Sequence, residues 1–380
     1  MLKSFQKIIM GKISQFEPYL GEEEKKELMD VIDSGWFTEA KKTRELEKQF
    51  AEFVGRKYAV VTTSGTAALF LALKALGLEQ NDEVIVPDLT FVASPNSVDL
   101  AGGNVSLVDI NKKDLGLDLK KTEQLITSKT KGVMPVDFNG RAPNLIALQE
   151  IAKKNNMFVV EDACHTIGSF YQGKHMGYFS DIGIFSLSTP KIITAGQGGV
   201  LVTDNAELYE KIRMIKDFGR DVDKKHNMKN AFDHVIMGYN FKFTEFQAAV
   251  GVAQMRKLPQ RIEHKKRMYT IFKEELEGIN QIEFLETDLK DVIPWFNDIL
   301  LPNQKIRDDL IDHLQEAEIG SRMFYPPIHE LTPYSNVKGD FTNTIEMSQR
   351  GVWLPSSAFL TDDDIIRVCS EIKKFIHTLS

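Results

Sequence analysis

Three short stretches place groups that could do chemistry. In "VVTTSGTAALFLAL" an apolar run ends and Ser64, Gly65 and Thr66 open an Ala- and Leu-rich segment of helical character. Free amides and the dipole at a helix N-terminus favour an anion. Gly65 lets the backbone approach closely, and the two hydroxyls add donors. The spacing is neither that of a P-loop nor that of a dinucleotide fingerprint, so an ordinary N-cap with a tight turn is the plainer reading. In "MFVVEDACHTIGS", Glu161, Asp162 and His165 crowd the carboxyl end of an apolar strand, where open α/β sheets bind ligands. A carboxylate buried there needs a cation or hydrogen bonds. The alternative is an Asp162 cap on a following helix, with His165 facing solvent. In "FSLSTPKIITAGQGGVLVTD", Ser186 and Ser188 end one strand, Lys191 follows a proline, and Gly196 to Gly199 permit a tight return into the next strand. A lysine held among apolar strands is desolvated, and its amine becomes nucleophilic and able to form a Schiff base. A surface turn lysine is the commoner case for an arbitrary lysine.

Together the three fit one cofactor. An anion cradle, an acid at a strand end and a lysine in a glycine-rich loop are what pyridoxal 5′-phosphate requires: the cradle for its phosphate, the acid for its pyridinium nitrogen, the lysine for its aldehyde. Other chemistries find less support. "HELTP" begins like a zinc-protease motif but lacks the second histidine, and no Gly-x-Ser-x-Gly elbow occurs. The two cysteines, Cys164 and Cys369, are far apart and suggest neither a disulfide framework nor a zinc site. No metal is expected.

The elements that must hold these residues follow from the apolar pattern. Strand-like runs ("YAVVTT", "DEVIVP", "NVSLVDI", "KGVMPV", "MFVVEDA", "IGIFSLS", "GVLVTD") alternate with helix-like ones from about Val54 to Asp204. The runs are rich in Val and Ile and do not alternate with polar residues. That indicates strands covered on both faces, hence an α/β domain with a mostly parallel sheet flanked by helices. After Gln247 one or two long helices are expected, broken at Pro259. Short segments with prolines and aromatics follow, giving a smaller α+β domain. The expected division is an arm over residues 1–20, a large domain over 21–254 and a small C-terminal domain over 255–380. The aromatic positions after residue 290 read as core.

The bulk composition narrows the partners. The chain has 380 residues, 42% of them hydrophobic, and a net charge of −7. The acidic balance argues against broad nucleic-acid binding. The basic run "RIEHKKR" from Arg261 to Arg267 reads as a solvated helix face. No signal peptide and no membrane-length apolar window is evident, so a cytoplasmic location is expected.

With these residues in place, the chain resembles the DegT/StrS-type family of sugar-nucleotide aminotransferases, fold-type I enzymes that use pyridoxal phosphate. The motifs "SGWFTEAKKTRELEKQFAEFVG", "TSGTAAL", "PDLTFVASPNSV", "PVDFNGR", "EDACHTIGS", "FSLSTPKIITAGQGG" and "GYNFKFTEFQAA" occur in the family's order. The resemblance implies that Lys191 is the Schiff-base lysine and proton carrier, and that Asp162 pairs the pyridinium nitrogen. It implies Phe91 against the ring face and His165 near the ring oxygen. Ser64, Gly65, Thr66 and Ser186 would lie around the phosphate. Asn240 would reach the cofactor of a neighbouring subunit, which makes the enzyme a homodimer with shared sites. Tyr325 and His329 in "MFYPPIH" match a stretch that lines the sugar pocket. The activity implied is transfer of an amino group from an amino acid, L-glutamate, to a keto group of a nucleotide-linked deoxy sugar, for amino-sugar and surface-polysaccharide synthesis. The rivals are a keto-sugar dehydratase of the same cofactor class and a non-enzymatic regulator that kept the fold. Lys191 disfavours the dehydratase, whose branch carries histidine there. His165 stands in place of the family's usual glutamine, Gln197 in place of glutamate, and Ala40-Lys41 in place of a frequent Gly-Pro.

Overall fold

The computed structural model describes residues 11–221 and 233–379. The first half of the expected arm and the centre of the loop from Asp217 to His234 lie outside the described residues. The strands are β1 (Tyr58–Thr62), β2 (Glu83–Pro87), β3 (Asn104–Val108), β4 (Thr130–Val133), β5 (Phe158–Asp162), a short hairpin of β6 (Phe170–Tyr171) and β7 (Lys174–His175), β8 (Ile182–Ser186), β9 (Gly199–Thr203), β10 (Asn297–Leu300), β11 (Arg322–Met323) and β12 (Gly351–Leu354). The α-helices are α1 (Glu22–Ser34), α2 (Lys41–Val54), α3 (Gly65–Ala75), α4 (Ala93–Ala101), α5 (Leu119–Leu125), α6 (Leu145–Lys154), α7 (Ala206–Lys216), α8 (Glu245–Leu276), α9 (Gln304–Glu316), α10 (Thr342–Arg350) and α11 (Asp362–His377).

Seven strands form the main sheet in the order β1-β9-β8-β5-β4-β2-β3. Every pairing is parallel except those of β9, which runs antiparallel to both β1 and β8. The lack of alternation in the strand sequences has its cause in the layers. Val61, Phe185, Val200 and Val202 pack with α2 and the first half of α8. Their strand neighbours Val60, Ile182, Ile184 and Leu201 pack on the other face with α3. Both faces are dry, so both strand parities must be apolar. The parallel arrangement brings the carboxyl ends of β2, β5 and β8 to one edge of the sheet, and β1, antiparallel to β9, ends there too.

A three-stranded antiparallel sheet, β10-β12-β11, lies beyond it. Ile299, Val352 and Leu354 from this sheet pack with Met268, Phe272 and Leu276 of α8 and with α9 and α11. Helix α8 thus serves two cores. It runs 32 residues with Pro259 inside it, so the break expected at that proline does not occur. A proline costs a helix about 3 kcal/mol, and the apolar residues buried on either side of it, Val252, Leu258, Met268 and Phe272, offset that loss. The basic face expected to be solvated is also different. Arg261 and Lys265 are buried, and Lys265 Nζ donates to the carbonyls of Trp295 and Ser356 at 2.8 and 2.9 Å.

Candidate functional site

A cavity of about 320 Å³ opens at the carboxyl edge of the large sheet and holds the three stretches together. At one end, Ser64 caps α3, its Oγ accepting from Ala67 N–H at 3.1 Å. The cap and the cradle are the same structure: the first amides of α3 at Gly65 and Thr66 have no carbonyl a turn earlier to serve. Ser186 Oγ, 3.2 Å from Ser188 Oγ, lines the same end. Gly199 makes the approach possible, since a Cβ there would lie 2.2 Å from the carbonyl oxygen of Ser64. Gly65 is itself in contact, its Cβ position being 3.3 Å from Ser186 Cβ.

Asp162 ends β5 in the middle of the cavity floor. Ser94 Oγ donates to its Oδ2 at 2.7 Å, and the Cys164 amide donates to Oδ1 at 3.2 Å. No helix follows it, so the capping alternative is not realised. Asp162 is 6% exposed, and among the described residues no basic side chain forms an ion pair with it. Behind it, burial raises the pKa of Glu161 and, further, of Asp137, which faces Glu161.

Lys191 projects from the loop between β8 and β9. Its amide donates to the Ser188 carbonyl at 3.0 Å, and Ala195 N–H returns to the Leu187 carbonyl at 2.9 Å, which closes the loop. Nζ sits 4.1 Å from the centroid of the Trp295 ring. No hydrogen bond or ion pair holds it among the described residues. Burial, assisted by the positive charge of Arg322 and opposed by Cys164 and Asp162, brings its pKa down to about 8. His165 stacks on the same indole ring, its centroid 3.9 Å from that of Trp295 and the planes at 23°. Burial, Lys191 and Arg322 hold His165 well below its usual pKa, so it is neutral. The Asn139 amide donates to its Nδ1 at 3.4 Å, which puts the ring proton on Nε2.

Phe91 is half exposed at the rim, its ring 5.5 Å from that of Tyr325. Tyr325 lines the cavity, whereas His329 does not. The His329 ring pairs through Nδ1 with Asp88 Oδ2 at 2.7 Å and stacks on Phe341. Asn240 is exposed and outside this cavity. Trp295 and Arg322 line the cavity without having been singled out in the sequence. Trp295 is 2% exposed and is core and wall at once, its Nε1 donating to the Pro190 carbonyl at 2.7 Å. It is positioned from a distance. Asn139 Oδ1 accepts from Phe296 N–H at 2.7 Å, while Asp298 accepts from Asn139 Nδ2 at 2.7 Å and from both terminal nitrogens of Arg141 at 2.7 and 3.0 Å.

The donor set fits pyridoxal phosphate. A buried anion without a cation answers its ring nitrogen, a helix N-terminus with two serine hydroxyls answers its phosphate, and an unbonded amine answers its aldehyde. Gln197, at the glycine-rich return, lines the cavity as well.

Comparison with known proteins agrees with this geometry. A sequence profile of the DegT/DnrJ/EryC1/StrS aminotransferase family matches residues 18–373. GDP-perosamine synthase of Escherichia coli O157:H7 is 33% identical over 369 residues, covering 96% of this chain and 99% of the relative. The GDP-perosamine synthase of Vibrio cholerae is also 33% identical, over 97% of this chain and all of its own length. Among solved structures, the putative sugar aminotransferase Spr1654 of Streptococcus pneumoniae, in its PMP form, superposes with a TM-score of 0.91 at 25% identity, covering 97% of this chain and 100% of the other.

Proposed function

The chain belongs to the DegT/DnrJ/EryC1/StrS aminotransferase family, and from that premise we propose that it moves an amino group from an amino acid, L-glutamate, to the keto group of a nucleotide-linked deoxy sugar. It is a pyridoxal-phosphate-dependent sugar aminotransferase serving amino-sugar synthesis. Three relatives bear the name GDP-perosamine synthase, which makes GDP-linked keto sugars the first acceptors to offer.

When bound, pyridoxal phosphate supplies an aldehyde for the amine and a ring that delocalises the electron pair released at the substrate carbon. The chain does the rest. The amides of Gly65 and Thr66 and the hydroxyl of Ser186 would hold the phosphate. Asp162, held by Ser94 and the Cys164 amide, would face the ring nitrogen and favour its protonated form. Lys191, with an amine that is partly neutral near neutral pH, takes a proton from one carbon and returns it to another. Trp295 and His165 wall the amine away from bulk water on one side, and Phe91 and Tyr325 close the rim. The observation that carries this reading is the Lys191 amine, with no hydrogen bond or ion pair among the described residues, in one cavity with the Asp162 carboxyl group, which Ser94 and the Cys164 amide hold but no cation pairs. A homodimer completes the reading. Its support is the exposure of Asn240 away from its own cavity, together with exposed apolar groups such as Trp36 and the stacked pair Phe37–Phe246. Among the described residues no helix is long and apolar enough to cross a membrane, and a cytoplasmic location is part of the same proposal.

Lys191→Ala tests the assignment. The variant is expected to lose the absorbance band of lysine-bound cofactor and all turnover. Normal turnover by this variant without added amine would refute the role given to Lys191.

A further inference from the structure

The basic run from Arg261 to Arg267 has no part in the reading above. Two of its members, Arg261 and Lys265, lie one turn apart on α8 and are 9% and 4% exposed. Every other buried arginine or lysine among the described residues has a carboxylate partner: Arg56 has Asp204, Arg141 has Asp298, Lys216 has Glu39, Lys257 has Glu24 and Arg307 has Asp308. Arg261 and Lys265 have only carbonyls. Arg261 donates from one terminal nitrogen to that of Ala358 at 3.2 Å, and Lys265 donates to those of Trp295 and Ser356. Burial and the charge of Arg261 push the Lys265 amine well below its usual pKa. Like charges one turn apart destabilise a helix, and a desolvated guanidinium without an anion is costly.

Arg261 lines two spaces. One, of about 10 Å³, is shared with Lys265 and with Thr189 to Lys191 of the reactive loop, and it holds a single water at most. The other is a pocket of about 420 Å³. His264, Arg267 and the Gln260 amide line this pocket with Arg261, and Tyr19 adds an exposed ring, 5.4 Å from that of Phe359. The acids nearby are already engaged. Glu263, also in the lining, pairs with Lys266 at 3.4 Å, and Asp362 takes the Nε of Arg267 at 2.8 Å. An anion for Arg261 therefore has room only in the larger pocket. Gln260 to Arg267 covers roughly 10 Å of helix axis, more than the two oxygens of one carboxylate span. A diphosphate has oxygens on two centres and accepts from several directions, and arginine forks suit it.

We propose that this pocket is a second ligand site, apart from the catalytic cavity, in which Arg261 binds a diphosphate group, free or carried by a nucleotide. The pocket shares no lining residue with the cavity of Lys191 and Asp162. Its link to that cavity is Lys265, which lines the small space with Arg261 and holds the Trp295 carbonyl.

The ring of His264 reports on this pocket. Holoenzyme carrying 13C-labelled histidine is used, so that bound cofactor fills the phosphate cradle at Gly65, and the His264 resonance is assigned by its loss in His264→Gln. Inorganic diphosphate and GDP are titrated separately at fixed pH, with guanosine and succinate as arms that lack phosphate. The resonance is expected to move saturably with diphosphate and with GDP, to stay in place with guanosine, and to need at least ten-fold more succinate for the same movement. Half-saturation by GDP at least ten-fold below that by diphosphate marks a nucleotide as the ligand, with Tyr19 beside its base. Any smaller difference marks the diphosphate group itself as what is bound. Arg261→Gln is expected to raise the half-saturating concentration at least ten-fold. Arg267→Gln, a change at an exposed position, is expected to raise it about three-fold, and it serves with the wild-type arms if Arg261→Gln does not fold. No response to either phosphate compound up to about 20 mM, an equal response to guanosine or succinate, or an unchanged response in the variants would each overturn the proposal. No turnover is measured, so such a result leaves the aminotransferase reading standing.

Discussion

Lys191 is expected to capture pyridoxal phosphate with a pH midpoint near 8. The amine is desolvated by its walls, and its pKa falls from 10.5 to about 8. Only the neutral amine attacks an aldehyde. Raising pH from 7 to 9 therefore lifts the reactive fraction from about 9% to about 91%, roughly ten-fold, and then levels off. An unperturbed lysine would gain about a hundred-fold over the same interval with no plateau. The assay mixes cofactor-free protein with pyridoxal phosphate and follows the absorbance of the lysine-bound form from pH 6.5 to about 10. Asp162→Asn supplies the second arm. Asp162 favours the charged ammonium, so its neutralisation moves the midpoint below that of the wild type. The same shift has a stability consequence. Between about pH 8 and 10.5 the unfolded chain binds more protons at this lysine than the folded one, so stability of the cofactor-free protein rises with pH across that window, by about 3 kcal/mol in all. A capture midpoint at or above 10, or one unmoved by Asp162→Asn, would refute the electrostatic account of Lys191.

Gly199→Ala places a methyl 2.2 Å from the Ser64 carbonyl oxygen. The strand and the start of α3 must part, and cofactor affinity by equilibrium dialysis is expected to weaken at least ten-fold; unchanged affinity would show that this contact does not shape the cradle. Asp298→Ala strips Arg141 of both carboxylate contacts in a buried setting, with an expected loss of about 3–5 kcal/mol in chemical denaturation. It also frees Asn139, so the absorbance of bound cofactor is expected to change as the Trp295 wall loosens.

Much of the site was legible because its residues sit at local junctions. Ser64, Gly65 and Thr66 mark a strand-to-helix turn, Asp162 ends an apolar strand, and Lys191 lies between two apolar runs. In each case a neighbouring stretch of sequence sets the geometry. Trp295 and Arg322 were not legible in that way. Each lies in a short segment with prolines and aromatics nearby, and its place in the wall depends on pairings such as Arg141–Asp298 that join residues 157 apart. The continuity of α8 through Pro259 is likewise a tertiary outcome, because the apolar packing that sustains it comes from two separate cores. Lys265 misled for a related reason. Helical spacing showed charge on a face but not that two carbonyls from other elements would receive it. His329 resembled a pocket residue by its motif, yet Asp88 at the end of the β2 edge takes its ring.

The most direct test of amino transfer follows nitrogen. The holoenzyme is incubated with L-glutamate labelled with 15N at its amino group and with a panel of nucleotide-linked keto sugars, GDP-linked ones first, and the sugar products are weighed by mass spectrometry. The account requires one 15N in the sugar product and one equivalent of 2-oxoglutarate. A sugar product that has lost water and gained no label would contradict it and mark the chain as a dehydratase.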